Sequence, residues 1–438
     1  MAADKRCSTN VFVKPACDFN DSEIYTHIDQ SLLYFLLINF VLACFDFLLR
    51  APSVAIRSIP GISKSISSEF FNGLNFLIRL MDNVLGSNGL EELIPPPGRS
   101  LIHWLPDDIA LSILSRVPRK YHHNLKCVSK KWKDLVSSQE WYSCREKNNL
   151  AETWIYALCR DKSEQVSCYV LDLNSSKRCW KQMTRLPTCS IKRKGMGFEA
   201  MGRKLYLLGG CSWSEDATDE VYCYDTSKNS WSPVAALSSA RCYFACEVLN
   251  EKLYAIGGIC SSSGDRHSWD IYDPCTNTWE PHLDITNIQN EIEGSVVMNG
   301  KIYIRLRAVD SQAYALVYDP SSRLWQHSDS EMVSGWRGPA VIIDETLYVL
   351  DQSSGTRLMM WNNKDKEWIP VGRFSALLTR PPCQLVAVGR KIVVVGKGLS
   401  SVIFDVSNTR TMEGLMVSSS IPRLDSDIDV LACKCITI

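Results

Sequence analysis

The 438-residue sequence predicts a multidomain protein in which a small all-α segment of three helices precedes an all-β, six-bladed propeller. The propeller rests on a repeat. Tyr224-Asp225 leads to Trp231, Tyr272-Asp273 to Trp279, Tyr318-Asp319 to Trp325 and Trp361-Asn362 to Trp368, so successive tryptophans stand 48, 46 and 43 residues apart. A strand ending in an aromatic precedes each pair, at Lys204–Tyr206, Lys252–Tyr254, Lys301–Tyr303 and Thr346–Tyr348. A period of roughly 40 to 50 residues belongs to stacked modules of about four short strands each. The helical segment rests on the start signal Leu105-Pro106-Asp107-Asp108 and on apolar residues at helical spacing behind it.

Residues 1–95 form an N-terminal extension whose chief feature is an apolar run over 31–49, broken by Asp46. The run is just long enough to span a bilayer as a helix. Lys5, Arg6 and Lys14 before it and Arg50 and Arg57 after it give no orientation. It lies far from the first residue and lacks a small-residue cleavage site, so it does not read as a secretory signal. A local helix, a disordered arm or a spurious extension is favoured over a membrane anchor. Translation from Met81 would retain every segment with a recognisable role. Ile94-Pro-Pro-Pro-Gly98 then makes a stiff linker.

Beyond the linker, Asp107 and Asp108 suit the positive end of a helix dipole. Ile109, Ile113, Leu114 and Val117 recur at helical spacing until Pro118 stops the run. A second run, Tyr121 to Trp132, carries Leu125, Val128 and Trp132 on one face. Short helices of this kind expose too much apolar surface to stand alone. In order and spacing the segment 99–145 resembles an F-box. The resemblance implies docking on a Skp-type adaptor, and through it on a cullin and a RING protein. It assigns the contact to Leu105, Pro106, Ile109, Leu114, Val117, Pro118, Leu125, Val128 and Trp132. The competing reading makes these residues the small core of a helical linker. His122 and His123 read as exposed polar positions.

Residues 150–438 carry the repeat. The pairs Gly209-Gly210 and Gly257-Gly258 allow a turn with positive φ and a close neighbouring chain, the tryptophans cover apolar area between modules, and the aspartates suit turn-closing hydrogen bonds. With these elements the segment resembles the kelch repeat. The third full module departs from it with Leu306-Arg307 and the fourth with Asp351-Gln352. A degenerate first module, Trp154 to about Trp180, lacks an innermost strand, and a sixth runs from Cys383 to Asp405. The last apolar run, Asp429–Ile438, has no partners in its own module and is expected to supply the missing strand, closing six blades without an open edge.

An F-box directly ahead of a kelch propeller resembles the plant F-box/kelch-repeat proteins, and more closely their Skp-interacting members. The resemblance implies a non-catalytic substrate receptor of an SCF-type ubiquitin ligase, in cytoplasm or nucleus, with an unnamed protein substrate on the propeller. The alternative is a kelch scaffold outside degradation. Arg193, Arg241, Arg337 and Arg380 stand shortly before successive strands of the repeat and are expected around one mouth of the central channel, with Trp213, Arg266 and Trp336 in nearby loops. Together they make a candidate substrate surface for an acidic or phosphorylated segment. In the third full module Asn290, between Arg241 and Arg337, breaks the set beside Glu291 and Glu293.

Composition narrows the classes further. Lysine plus arginine equals aspartate plus glutamate at 48 each, and no basic tract exceeds Lys192-Arg193-Lys194 or Lys130-Lys131, which argues against nucleic acid. The 18 cysteines lack framework or metal spacing and read as thiols of a reducing compartment. Gly396-Lys397-Gly398 is not a phosphate loop. His267, His282 and His327 fall outside any converging ligand set, so neither a cofactor nor a metal is expected.

Overall fold

The computed structural model describes Leu101 and residues 107–438, apart from 176, 184–185, 188–191, 214–215, 261–267, 284–291, 308–312, 354, 376–377, 407–418 and 426. The apolar run 31–49, Met81, the 94–98 linker, Leu105 and Pro106 therefore lie outside the described residues. Among those described, no helix is long and apolar enough to cross a membrane. The chain divides into two compact units, one ending at Ala151 and one spanning Glu152–Ile438.

The first unit contains α1 (Asp107–Leu114), a 3-10 turn (Arg119–Tyr121), α2 (His122–Val128), α3 (Lys130–Ser137) and α4 (Gln139–Lys147). Asp107 sits in the first turn of α1 and its carboxylate accepts the Leu101 amide at 2.7 Å. The run expected as one helix from Tyr121 to Trp132 is two. Ser129 is extended (φ −158°, ψ 161°), and its hydroxyl accepts the Trp132 amide at 3.2 Å, so an N-cap ends α2 and starts α3. Ser138 repeats the device for α4 by accepting the Trp141 amide at 3.2 Å.

The second unit is a propeller of six four-stranded antiparallel sheets. Its innermost strands are Gly197–Met201, Ala245–Leu249, Ile292–Met298, Ala340–Ile343, Gln384–Val388 and the C-terminal Asp429–Thr437. The last of these pairs with Thr153–Arg160, from Thr153 opposite Thr437 to Arg160 opposite Asp429. The C-terminus thus completes blade 1, as the unpartnered apolar run led one to expect, and each inner strand touches its two neighbours around a closed ring.

The repeat residues take the scaffold roles their chemistry suits. Carboxylates of Asp225, Asp273 and Asp319 accept the amide two residues on at 2.8–2.9 Å, and the Asn362 side-chain carbonyl does so at 3.1 Å. Two residues before each tryptophan, Asn229, Asn277, Arg323 and Lys366 hold φ of 55–56° and turn the chain into the outer strand. A Cβ on Gly209 (φ +58°) would stand 2.4 Å from the Arg241 carbonyl oxygen, so this turn admits only glycine. Apolar clusters fill the seams between blades; one joins Tyr206 and Leu208 of blade 2 to Leu253 and Tyr272 of blade 3.

Candidate interaction surfaces

In the helical unit the nine residues assigned to adaptor contact separate by burial. Leu114, Val117 and Leu125 are 1%, 0% and 0% exposed, so they are interior residues and cannot touch a partner while the unit stays folded. That corrects the contact assignment for these three, because their helical period reports the inward face. Ile109, Pro118, Val128 and Trp132 are half-buried and keep surface available. The Trp132 indole donates to the Leu101 carbonyl at 2.7 Å, which ties α3 to the chain ahead of α1.

Of two buried polar residues of this unit, the sequence pattern gave no sign of one and placed the other at the surface. Arg145 of α4 is buried and donates to the carbonyls of Ser115 and Val117 at 2.6 and 2.8 Å, capping the end of α1, and to Leu150 at 2.7 Å. His122 is buried too, against the expectation of an exposed position; only His123 is exposed. It lies edge-on to Trp141 at 5.2 Å, and its Nε2 is 3.2 Å from the Val117 carbonyl oxygen. Burial, then the charges of Arg145 and Arg119, push its pKa down to about 3, so it is neutral in the fold.

On the propeller, the strand order places the starts of the inner strands and the ends of the second strands at one mouth of the channel. The expected arginine ring does not form there as a set. Arg241 is fully buried and paired with Asp270, also fully buried, at 2.9 Å; it further donates to the Gly257 carbonyl at 3.2 Å. Arg193 is buried and pairs with Glu220 at 2.7 Å. Trp336, 1% exposed, packs with Met332, Val333, Val296 and Leu347 between blades 4 and 5, behind the short helix α5 (Ser330–Gly335). These three are scaffold, and a substrate cannot reach Arg241 or Trp336 without unfolding. Arg337, Arg380 and Trp213 remain exposed, Trp213 at 88%, with the Lys194 ammonium 4.8 Å from its ring centre. Arg266, Asn290 and Glu291 lie outside the described residues. Glu293 holds Arg305 and Arg307, each at 2.8 Å.

A kelch-repeat domain model, FKB95, matches residues 154–413, and an F-box domain model matches 102–143. The chain is 49% identical over 343 residues to the F-box/kelch-repeat protein SKIP4 of Arabidopsis thaliana, spanning 77% of this chain and 95% of that one. It belongs to the F-box/kelch-repeat proteins. More distant relatives from the same plant include F-box/kelch-repeat protein SKIP30, 24% identical over 76% of this chain and 94% of its own, and At1g22040, 26% identical over 61% and 70%. Neither matching model is an enzyme family.

The kelch channel carries a polar seam that no motif announced. The Lys434 ammonium of the C-terminal strand meets the Glu199 carboxylate of blade 2, and Glu247 of blade 3 accepts from the Ser295 hydroxyl of blade 4 at 2.6 Å. Burial pushes Glu199 up to about 7 although Lys434 pulls it down, while the Glu199 and Glu247 carboxylates hold Lys434 above its ordinary value against burial. The described cysteines are free thiols, and burial raises those of Cys159, Cys246 and Cys433. Among the described residues no group of three or more His, Cys, Asp or Glu side chains could hold a metal ion. His282 stacks on Trp269 at 4.4 Å between ring centres, and His327 is exposed.

Proposed function

We propose that this F-box/kelch-repeat protein is the substrate-recognition subunit of an SCF-type ubiquitin ligase in the cytoplasm or nucleus. The F-box docks a Skp-type adaptor, the adaptor joins it to a cullin and a RING protein, and the kelch propeller holds a protein substrate. The observation that carries the reading is the presence of both modules, in this order, on one chain that spans nearly the whole of its F-box/kelch relative. The protein then contributes proximity. Holding a substrate near a charged ubiquitin-conjugating enzyme raises the effective concentration of its lysines without any covalent step at the propeller.

The adaptor contact falls to the residues with surface to offer, Ile109, Pro118, Val128 and Trp132, together with Leu105 and Pro106 ahead of α1. The substrate surface falls to Trp213, Arg337 and Arg380 at the channel mouth. Co-purification with a Skp-type adaptor tests the reading. Leu105→Ala with Pro106→Ala should remove the adaptor and leave the propeller's melting unchanged, whereas Leu125→Ala should melt the helical unit itself, at about 2–5 kcal/mol for a fully buried leucine. Wild-type yield of adaptor with the double variant would refute the docking assignment. A wild-type chain that captures no adaptor would favour a scaffold outside degradation.

A further inference from the structure

Blade 4 breaks its own repeat at one interior position. Strand register aligns Tyr156, Tyr206, Tyr254, Tyr303, Tyr348 and Val393, each opposite an interior residue of its inner strand: Lys434, Glu199, Glu247, Val296, Val341 and Val386. Two residues further on, five blades bury an aliphatic side chain: Leu158, Leu208, Ile256, Leu350 and Val395, none more than 2% exposed. Blade 4 has Arg305, whose side chain is only 14% exposed. A guanidinium where the scaffold takes a leucine costs desolvation that the aliphatic residue does not.

Glu293 is shared between Arg305 and Arg307, so one carboxylate faces two guanidiniums. Arg337 adds a third. Its Nε donates to the Ser334 carbonyl at 2.9 Å, and no carboxylate lies within ion-pair distance of it among the described residues. The buried Nε of Arg305 has no acceptor among them either. Burial lowers the Arg305 pKa, Glu293 opposes this, and the charges of Arg307 and Arg337 add to the lowering, as crowded cations should. Arg305 and Arg337 line a cavity of about 690 Å³ with Ser330, Ser334, Ala313 and Val333. Among the described residues Glu331 is the acidic group on its wall. The Asp351 carboxylate, which accepts the Ser353 hydroxyl and amide, also feels the charges of Arg337 and Arg357.

We propose that this cavity is an oxyanion subsite, in which Arg305 and Arg337 bind a phosphoryl or carboxylate group carried by a substrate protein. The planar fork of Arg337, with only Nε engaged, can donate two parallel hydrogen bonds to such a group. Arg305 supplies a second, partly desolvated charge from beneath. The substrate assignment rests on the receptor reading above; the anion binding itself does not.

The probes are inorganic phosphate and acetate, titrated at constant ionic strength into the full chain labelled with 15N-arginine. The Nε–Hε signals of Arg305 and Arg337 should move together and saturate, with a midpoint on the order of 1–10 mM. Phosphate binding more tightly than acetate assigns the subsite to a phosphorylated side chain; acetate binding at least as tightly assigns it to aspartate or glutamate. Arg305→Leu, which restores the residue type of the other blades, should weaken binding about tenfold or more as read on Arg337. Arg337→Ala, at an exposed position, decides the matter if Arg305→Leu does not fold. The proposal is overturned if neither anion shifts these signals up to roughly 100 mM, or if Arg337→Ala leaves the midpoint seen on Arg305 unchanged. Adaptor co-purification on the same preparation keeps the two readings apart. Adaptor capture without anion binding sinks the subsite alone, and anion binding without adaptor sinks the receptor assignment alone.

Discussion

Arg241→Glu is the substitution that most sharply distinguishes scaffold from docking surface. In the native propeller Arg241 and Asp270 have no solvent exposure and meet at 2.9 Å, Ser238 donates its hydroxyl to the other Asp270 oxygen, and Arg241 also binds the Gly257 carbonyl. Removing one partner of such a pair leaves a buried charge uncompensated and costs about 3–5 kcal/mol; the reversed charge adds repulsion from Asp270. A domain of 150–250 residues loses about 2–4 °C of melting temperature per kcal/mol. For the somewhat larger propeller the expected loss is roughly 6–12 °C or more. Circular dichroism melts of wild type, Arg241→Glu and the double variant Arg241→Met with Asp270→Leu measure it. The double variant, which leaves no unpaired charge, should recover most of the loss. Arg337→Glu, at an exposed position, should stay within about 0.5 kcal/mol of wild type. An Arg241→Glu protein that melts within about 1 °C of wild type would refute the argument that this pair holds blade 3.

Two further outcomes are expected. Deleting Asp429–Ile438 removes the inner strand of blade 1 and bares the edge of Thr153–Arg160, so the truncated chain should aggregate on size-exclusion chromatography; a monomer with a cooperative melt would refute closure by the C-terminus. His122 stays neutral in the fold down to about 3 but takes up a proton near 6.5 when unfolded, so its contribution is complete above about pH 6.5 and is lost as pH falls toward 3, with a slope of up to about 1.4 kcal/mol per pH unit. Hydrogen exchange of α1–α4 at pH 7.5 and 5 should show this loss in the wild type and a flatter response in His122→Gln, and equal slopes in the two proteins would contradict it.

Much of the fold was legible in the sequence because repeat chemistry is local. A Tyr-Asp pair, a turn and a tryptophan lie within eight residues, and each bond they make, such as Asp225 to the Ser227 amide, is decided within that span. Closure was legible by a different route, since Asp429–Ile438 is an apolar strand without neighbours in its own module and blade 1 lacks one. The break at Ser129 was not. Apolar spacing runs through it with Leu125, Val128 and Trp132 in phase, and only the serine's capping bond to the Trp132 amide shows that two helices meet there.

The candidate sites were less legible, for a reason that Arg241 and Arg305 make plain together. Spacing within a repeat says which end of a strand a residue occupies, but not whether its charge is already spent. Arg241 matches the position expected at the channel mouth, yet its partner Asp270 lies 29 residues on, in a strand that pattern alone reads as part of an ordinary blade. Arg305 sits inside an apolar strand and attracts no attention by type or motif. Aligning the six second strands would have exposed it, because the other five hold Leu158, Leu208, Ile256, Leu350 and Val395 there. Residues that satisfy a repeat are explained by the packing the repeat must achieve in every blade. A half-buried cation at a strand position where the other five blades hold an aliphatic residue gains nothing from that packing, and its cause has to be sought in what this blade alone does.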